Sequence, residues 1–137
     1  MKRPRSICYC INLRRAANSL TAIYGRHLSP LGISVNQFSL LRNIDRLGTC
    51  SVSDLASCVG LDRTTLTRTL RPLLDRGLVV DTAKDGHRDR ALQLTDEGRA
   101  LKDRGGPMWD AAQAEVERRI GADEARALMD LLEKLED

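Results

Sequence analysis

One stretch of this chain, residues 51–98, constrains its fold more than all the rest: SVSDLASCVGLDRTTLTRTLRPLLDRGLVVDTAKDGHRDRALQLTDEG. Ser53 is placed to cap a short helix over 54–59, and Asp54 in its first turn suits the helix dipole. Gly60 supplies a turn and Asp62 caps a second helix that runs to about Arg76, where Gly77 stands at the position that ends helices. Residues 78–82 are strand-like, Asp85-Gly86 within Lys84–Asp89 is a hairpin signal, and residues 91–94 alternate as a returning strand. Thr95 caps a further helix. The order is helix, turn, helix, strand, basic loop, strand.

The second of these helices has two unlike faces. At 100° per residue, Leu70, Leu73 and Leu74 fall within about 80° of Leu66, while Thr64, Arg68, Arg71 and Asp75 fall about 140–200° away. Leucines pack one side and Thr and Arg occupy the other. Arg matches the O6 and N7 acceptors of guanine, and Thr suits either a hydrogen bond or the methyl of thymine. Because the N-terminal residues of such a helix reach the base edges, the expected contacts are Arg63, Thr64, Thr65, Thr67 and Arg68, with Arg71 nearer phosphate. Pro72 conflicts with the pattern. It removes the hydrogen bond to the Arg68 carbonyl, which predicts a bend or an underwound last turn. In the loop, Arg88 and Arg90 would project from a hairpin tip toward a narrow minor groove, with Asp89 holding one guanidinium in place. His87 reads as an exposed turn residue. The alternative of an ordinary amphipathic helix weakens beside the short capped helix and Gly turn that precede it; the alternative for the loop is a charged hairpin tip in solvent.

The flanking segments are helical. Residues 6–27 place Tyr9, Leu13, Ala16, Ala17, Leu20, Ile23 and Tyr24 on one face, with Ile7 and Ile11 roughly opposite, which suggests a second partner surface. Ser29-Pro30-Leu31-Gly32 breaks that helix. Ser34 caps the next, 35–47, with Phe38, Leu41, Ile44 and Leu47 inward and Gly48 at its end. After Thr95 a long helix reaches Ile120, with a possible kink at Gly105-Gly106-Pro107. Gly121 separates it from a last helix over 123–135.

Charge is distributed unevenly. The whole chain carries +3, but Asp110 to Asp137 holds nine acidic and four basic residues, leaving +8 on residues 1–109. A basic body with an acidic tail fits a polyanion-binding module joined to a separate association segment. With 137 residues and 3% aromatics, one domain with a Leu/Ile/Val/Ala core is expected. No run is apolar enough to span a bilayer and no signal peptide is read, so a cytoplasmic protein with no membrane partner is expected.

Four cysteines, Cys8, Cys10, Cys50 and Cys58, and two histidines form no zinc spacing, so no metal or other cofactor is expected. Cys8 and Cys10 lie among Lys2, Arg3, Arg5, Arg14 and Arg15, surroundings that favour a thiolate. In one helix they would point about 160° apart and could not bridge. Cys58 reads as a small buried hydrophobe, and Cys50 as the same or partly exposed. No nucleophile–base pair or phosphate loop supports an enzyme.

On residues 51–80 and on the wing through LTDEGRAL (94–101), the chain resembles the MarR family of bacterial transcriptional regulators, and the order of elements is similar from about Ile11 to Leu135. The resemblance implies a mainly α fold with a small β-hairpin wing, a winged helix-turn-helix flanked by N- and C-terminal dimerisation helices. Residues 1–137 would form a single domain, with 34–98 binding DNA and 1–33 and 100–137 associating. It further implies an obligate homodimer on a pseudo-palindromic operator, with repression relieved by a small ligand or by thiol oxidation. The reading helix carried over is 62–76, and the wing arginine is Arg88 or Arg90, since His87-Arg88-Asp89-Arg90 departs from the usual acidic-Arg-x-Arg pattern. The family's peroxide-sensing members have a reactive Cys in the first helix, which makes Cys8 or Cys10 the candidate sensor. The competing reading is a winged helix that binds protein rather than DNA.

Overall fold

The computed structural model describes residues 2–83 and 90–136. Its elements are α1 (Tyr9–Leu28), a 3₁₀ turn (Ser29–Leu31), α2 (Val35–Leu47), α3 (Val52–Val59), α4 (Arg63–Asp75), β1 (Val79–Asp81), β2 (Leu92–Leu94), α5 (Asp96–Ile120) and α6 (Ala122–Glu133). The fold is mainly helical with one small antiparallel sheet, as the patterning predicts. Two compact units divide the chain, Leu28–Gly106 and Met1–His27 together with Pro107–Asp137.

Local chemistry sets most boundaries in the first unit. The Ser34 side chain accepts from the Gln37 backbone while the Gln37 side chain answers the Ser34 backbone, a reciprocal cap for α2. The same device starts α3, but from Ser51 and Asp54 rather than from Ser53 as expected. The helix therefore begins two residues early, with Val52 buried in its first turn. Pro72 does not end α4, which continues to Asp75. Its C-terminus closes when Gly77 takes a φ of 71° and donates to the Leu74 carbonyl, while Leu78 donates to Leu73. In the sheet Val79 faces Leu94, Val80 faces Gln93 and Asp81 faces Leu92. Cys50 adds an isolated antiparallel bridge to Leu92.

The core of this unit forms where α2, α3, α4 and the sheet meet. Leu40, Leu41, Ile44, Leu55, Leu66, Leu73 and Leu92 have no exposed surface. Phe38 is 2% exposed, so the one phenylalanine of the chain lies inside. Thr95 caps α5, accepting from Gly98 N at 3.0 Å, and its hydroxyl donates to the Gly77 carbonyl at 2.6 Å. α5 runs through Gly105-Gly106-Pro107 as one helix.

The second unit buries far less. Among the described residues only Ile23 and Ala112 of its apolar side chains are buried. Of the apolar face expected on α1, only Ile23 is buried: Tyr9, Leu13, Ala16 and Ala17 are exposed, and Leu20 and Tyr24 half-buried. α6 buries no residue. Glu115 gathers three side chains of this unit, with Arg26 at 3.1 Å, His27 at 3.0 Å and Arg119 at 3.1 Å. The first helix starts at Tyr9 rather than Ser6 because the chain before it is held in a bend. The Ser6 backbone donates to Asn12 Oδ1 and accepts from Asn12 Nδ2, and Ser6 Oγ accepts from the Cys8 backbone.

Candidate nucleic-acid interface

The helix-turn-helix consists of α3, the turn at Gly60 (φ 70°) and α4. Asp62 fixes the start of α4. Its Oδ1 accepts from the Thr65 backbone at 2.8 Å and its Oδ2 from the Thr65 hydroxyl at 2.9 Å. These bonds, the Thr65 backbone one foremost, hold the Asp62 carboxyl below the usual carboxylate range.

Leu66, Leu70 and Leu73 turn into the core, and Leu74 is half-buried. Arg63, Thr64, Thr67, Arg68 and Arg71 are exposed and line one shallow surface groove. The structure thus brings together five of the six residues expected on the reading helix. The sixth, Thr65, is half-buried and its hydroxyl proton is committed to Asp62. Arg63 reaches back to α3, with Nη1 3.4 Å from Ser53 Oγ. Thr64, Thr67, Arg68 and Arg71 make no side-chain hydrogen bond or ion pair among the described residues. A row of guanidinium and hydroxyl groups left to solvent on a rigid, leucine-anchored helix presents donors where a base edge or phosphate would lie.

At the sheet, Arg90 is exposed and described, whereas Arg88, His87 and Asp89, with the rest of the expected turn Lys84–Asp89, lie outside the described residues. Arg90 Nη1 sits 3.0 Å from Asp81 Oδ2. Asp81 Oδ1 accepts in addition from the backbone of Ala83 and of Ala91, each at 3.0 Å. The Ala83 bond, then the Ala91 bond and the Arg90 guanidinium, lower the Asp81 carboxyl below its ordinary range. Sequence reasoning does not single out Asp81. The available signal is an aspartate inside a strand, a place where that residue is depleted.

All four cysteines are unpaired. Cys8 and Cys10 are exposed. Cys8 precedes the first helical residue and its carbonyl accepts from Asn12 N at 3.1 Å, while Arg14 Nη2 lies 3.8 Å from Cys10 Sγ. Cys50 is buried, and burial pushes its thiol up. Cys58 is exposed, which corrects its expected place in the core. The inward stripe of α3 is Val52, Leu55 and Val59, and Cys58 stands about 90° from its centre. Among the described residues no group of three or more His, Cys, Asp or Glu could hold a metal ion. No helix among them is long and apolar enough to cross a membrane.

Comparison with known proteins agrees with this geometry. MosR, a transcriptional regulator of M. tuberculosis solved in complex with DNA, is 37% identical over 94% of this chain and 96% of its own, with a TM-score of 0.79. CouR, a transcriptional repressor solved on a 23-mer DNA duplex, is 25% identical over 95% of this chain and 93% of its own, with a TM-score of 0.84. BpsR of Bordetella bronchiseptica, whose DNA binding is regulated by 6-hydroxynicotinic acid, shares the fold at 24% identity, covering 100% of this chain and 99% of its own with a TM-score of 0.87. The sequence model of the MarR family matches residues 33–86. The chain belongs to the MarR family.

Proposed function

We propose that this protein is a transcriptional regulator that binds double-stranded, pseudo-palindromic DNA as a homodimer. The observation that carries the reading is the two-sidedness of α4, with Leu66, Leu70 and Leu73 in the core and Thr64, Thr67, Arg68 and Arg71 offered to solvent. The DNA-bound state of MosR, at 37% identity, supports it. Residues 34–98 form the DNA-binding region, and 1–33 and 100–137 associate with a second copy. Two half-sites about one helical turn apart then add affinity and impose symmetry on the operator. The reading is a cytoplasmic repressor rather than a catalyst, released by a small-molecule effector or by oxidation at Cys8 or Cys10. Both thiols are exposed, as a sensor requires.

Within the reading head, Arg68 and Thr64 contact base edges, Thr67 and Arg63 flank them, and Arg71 lies nearer phosphate. Thr65 contributes by capping the helix. Selection of bound duplexes from a random pool, with and without peroxide, reports the site, its symmetry and any redox response together. Arg68→Ala should cost about 1–3 kcal/mol on the selected site and relax base preference at one position per half-site. Parental affinity and preference in R68A would remove α4 from the major groove and favour a protein-binding winged helix.

A further inference from the structure

We propose that Asp81 is the positioning residue of the wing and that it neutralises Arg90, so that Arg90 braces the sheet rather than contacting DNA. One carboxylate joins both sides of the hairpin. It accepts from Ala83 on the outgoing side and from Ala91 on the returning side, and it pairs with the Arg90 guanidinium, each at 3.0 Å. Thr82 adds to the same closure, its backbone donating to the Ala91 carbonyl at 2.8 Å and its hydroxyl at 3.1 Å. The sheet itself is only three residues a side, so these bonds form much of what ties its two strands together.

The charges make a second point. An arginine paired with a carboxylate releases no counterion when DNA arrives, because its positive charge is already balanced. Arg90 therefore adds nothing to the salt dependence of binding while Asp81 holds it. The groups are also arranged so that the two roles separate. Both backbone bonds fall on Oδ1, and the ion pair on Oδ2. Asparagine at this position keeps one carbonyl oxygen for the backbone and turns its NH₂ toward the guanidinium, a donor facing a donor. D81N thus breaks the pair and spares the brace.

The inference rests on the DNA-binding reading, and the experiment has one arm in DNA and one outside it. Affinity for a fixed duplex is measured from 50 to 200 mM salt for the parent, D81N, D81N/R90Q and R68A. D81N frees Arg90 and should steepen the slope of log affinity against log salt by about 0.9 per protomer, an extra loss of about three- to fourfold per protomer across that range. D81N/R90Q should restore the parental slope. A wing that had merely come loose would not steepen it. An unchanged slope in D81N, or a double variant flatter than the parent, would overturn the proposal and put Arg90 on phosphate. In the free protein, carboxyl-carbon NMR of Asp81 should show its titration moving up toward the ordinary aspartate range in R90Q; no movement would also overturn it. Loss of effect in R68A with the NMR result intact would sink the helix reading and leave the Asp81–Arg90 pair standing.

Discussion

Gly98→Ala should destabilise this protein substantially, although it replaces a poor helix former with the best one. Gly98 lies in the first turn of α5, where the helix crosses the backbone of Leu78. A Cβ there would overlap the Leu78 carbonyl oxygen and lie 2.9 Å from its carbon and 3.3 Å from its Cα. These are backbone atoms and cannot rotate aside. To clear them, the turn must withdraw from the segment leading into β1, to which it is bonded twice: Thr95 N donates to Leu78 O at 3.1 Å and the Thr95 hydroxyl to Gly77 O at 2.6 Å. Overpacking of this kind costs about 1–3 kcal/mol, and each weakened bond about 1 kcal/mol. Helix propensity returns about 1 kcal/mol. A net loss of about 2–4 kcal/mol lowers the melting temperature of a 137-residue chain by about 7–14 °C. Thermal melting followed by circular dichroism reads it. Gly25→Ala in α1 is the control, since a Cβ there meets nothing within 4 Å, and it should raise stability by about 0.5–1 kcal/mol. If G98A melts at or above the parent, the close approach of α5 to Leu78 is wrong.

Two further outcomes are expected. Glu115 is held below the usual Glu range, first by the hydrogen bond from His27 and then by Arg26 and Arg119. A folded-state value below the unfolded one adds stability that is present above the unfolded value and lost as pH falls through the folded one. E115Q should therefore melt below the parent at neutral pH, with the gap closing in acid below about pH 4.3; a constant gap would deny the contacts with His27, Arg26 and Arg119 a role. In the native protein, iodoacetamide should label exposed Cys58 well before buried Cys50, with unfolding equalising the two, as mass mapping of the labelled peptides would show. Equal native rates would contradict the burial of Cys50.

Local chemistry is why so much of the reading head is legible in the sequence. Ser34, Asp62 and Thr95 cap helices, and Gly48, Gly60 and Gly77 turn the chain with φ of 79°, 70° and 71°. Each acts within four residues of itself, so its meaning is written beside it. The start of α3 differs from expectation because Ser51 and Ser53 can both cap. Asp54 answering Ser51 and Val52 finding the core decide between them, and only the second depends on the fold. Cys58 is a similar case, since it stands at the margin of a stripe whose width is set by the neighbouring helices. Asp81 is further out of reach. Its partners lie two, nine and ten residues away, and only the folded sheet brings them to one carboxylate.

The two units differ in what a single chain can complete. The reading head closes its own core, with buried side chains drawn from three helices and both strands. In the other unit lie seven of the eight large apolar side chains exposed among the described residues: Ile7, Tyr9, Leu13, Ile120, Met129, Leu131 and Leu135. α6 has 12 residues and none of them is buried, yet so short a helix is marginal in water without packing on one face. Its order therefore depends on a surface that the single chain does not supply from its buried core. The last 28 residues carry a net −5, and the segment before α1 carries Lys2, Arg3 and Arg5, so the proposed dimer would have opposite charges as well as exposed leucines to draw on. If a second copy supplies that surface, as proposed above, association becomes part of folding for these helices and sets the spacing of two α4 helices on one duplex. On the proposed dimer, an event that alters the association surface, oxidation at exposed Cys8 or Cys10 included, should change DNA affinity without touching a residue of the reading face.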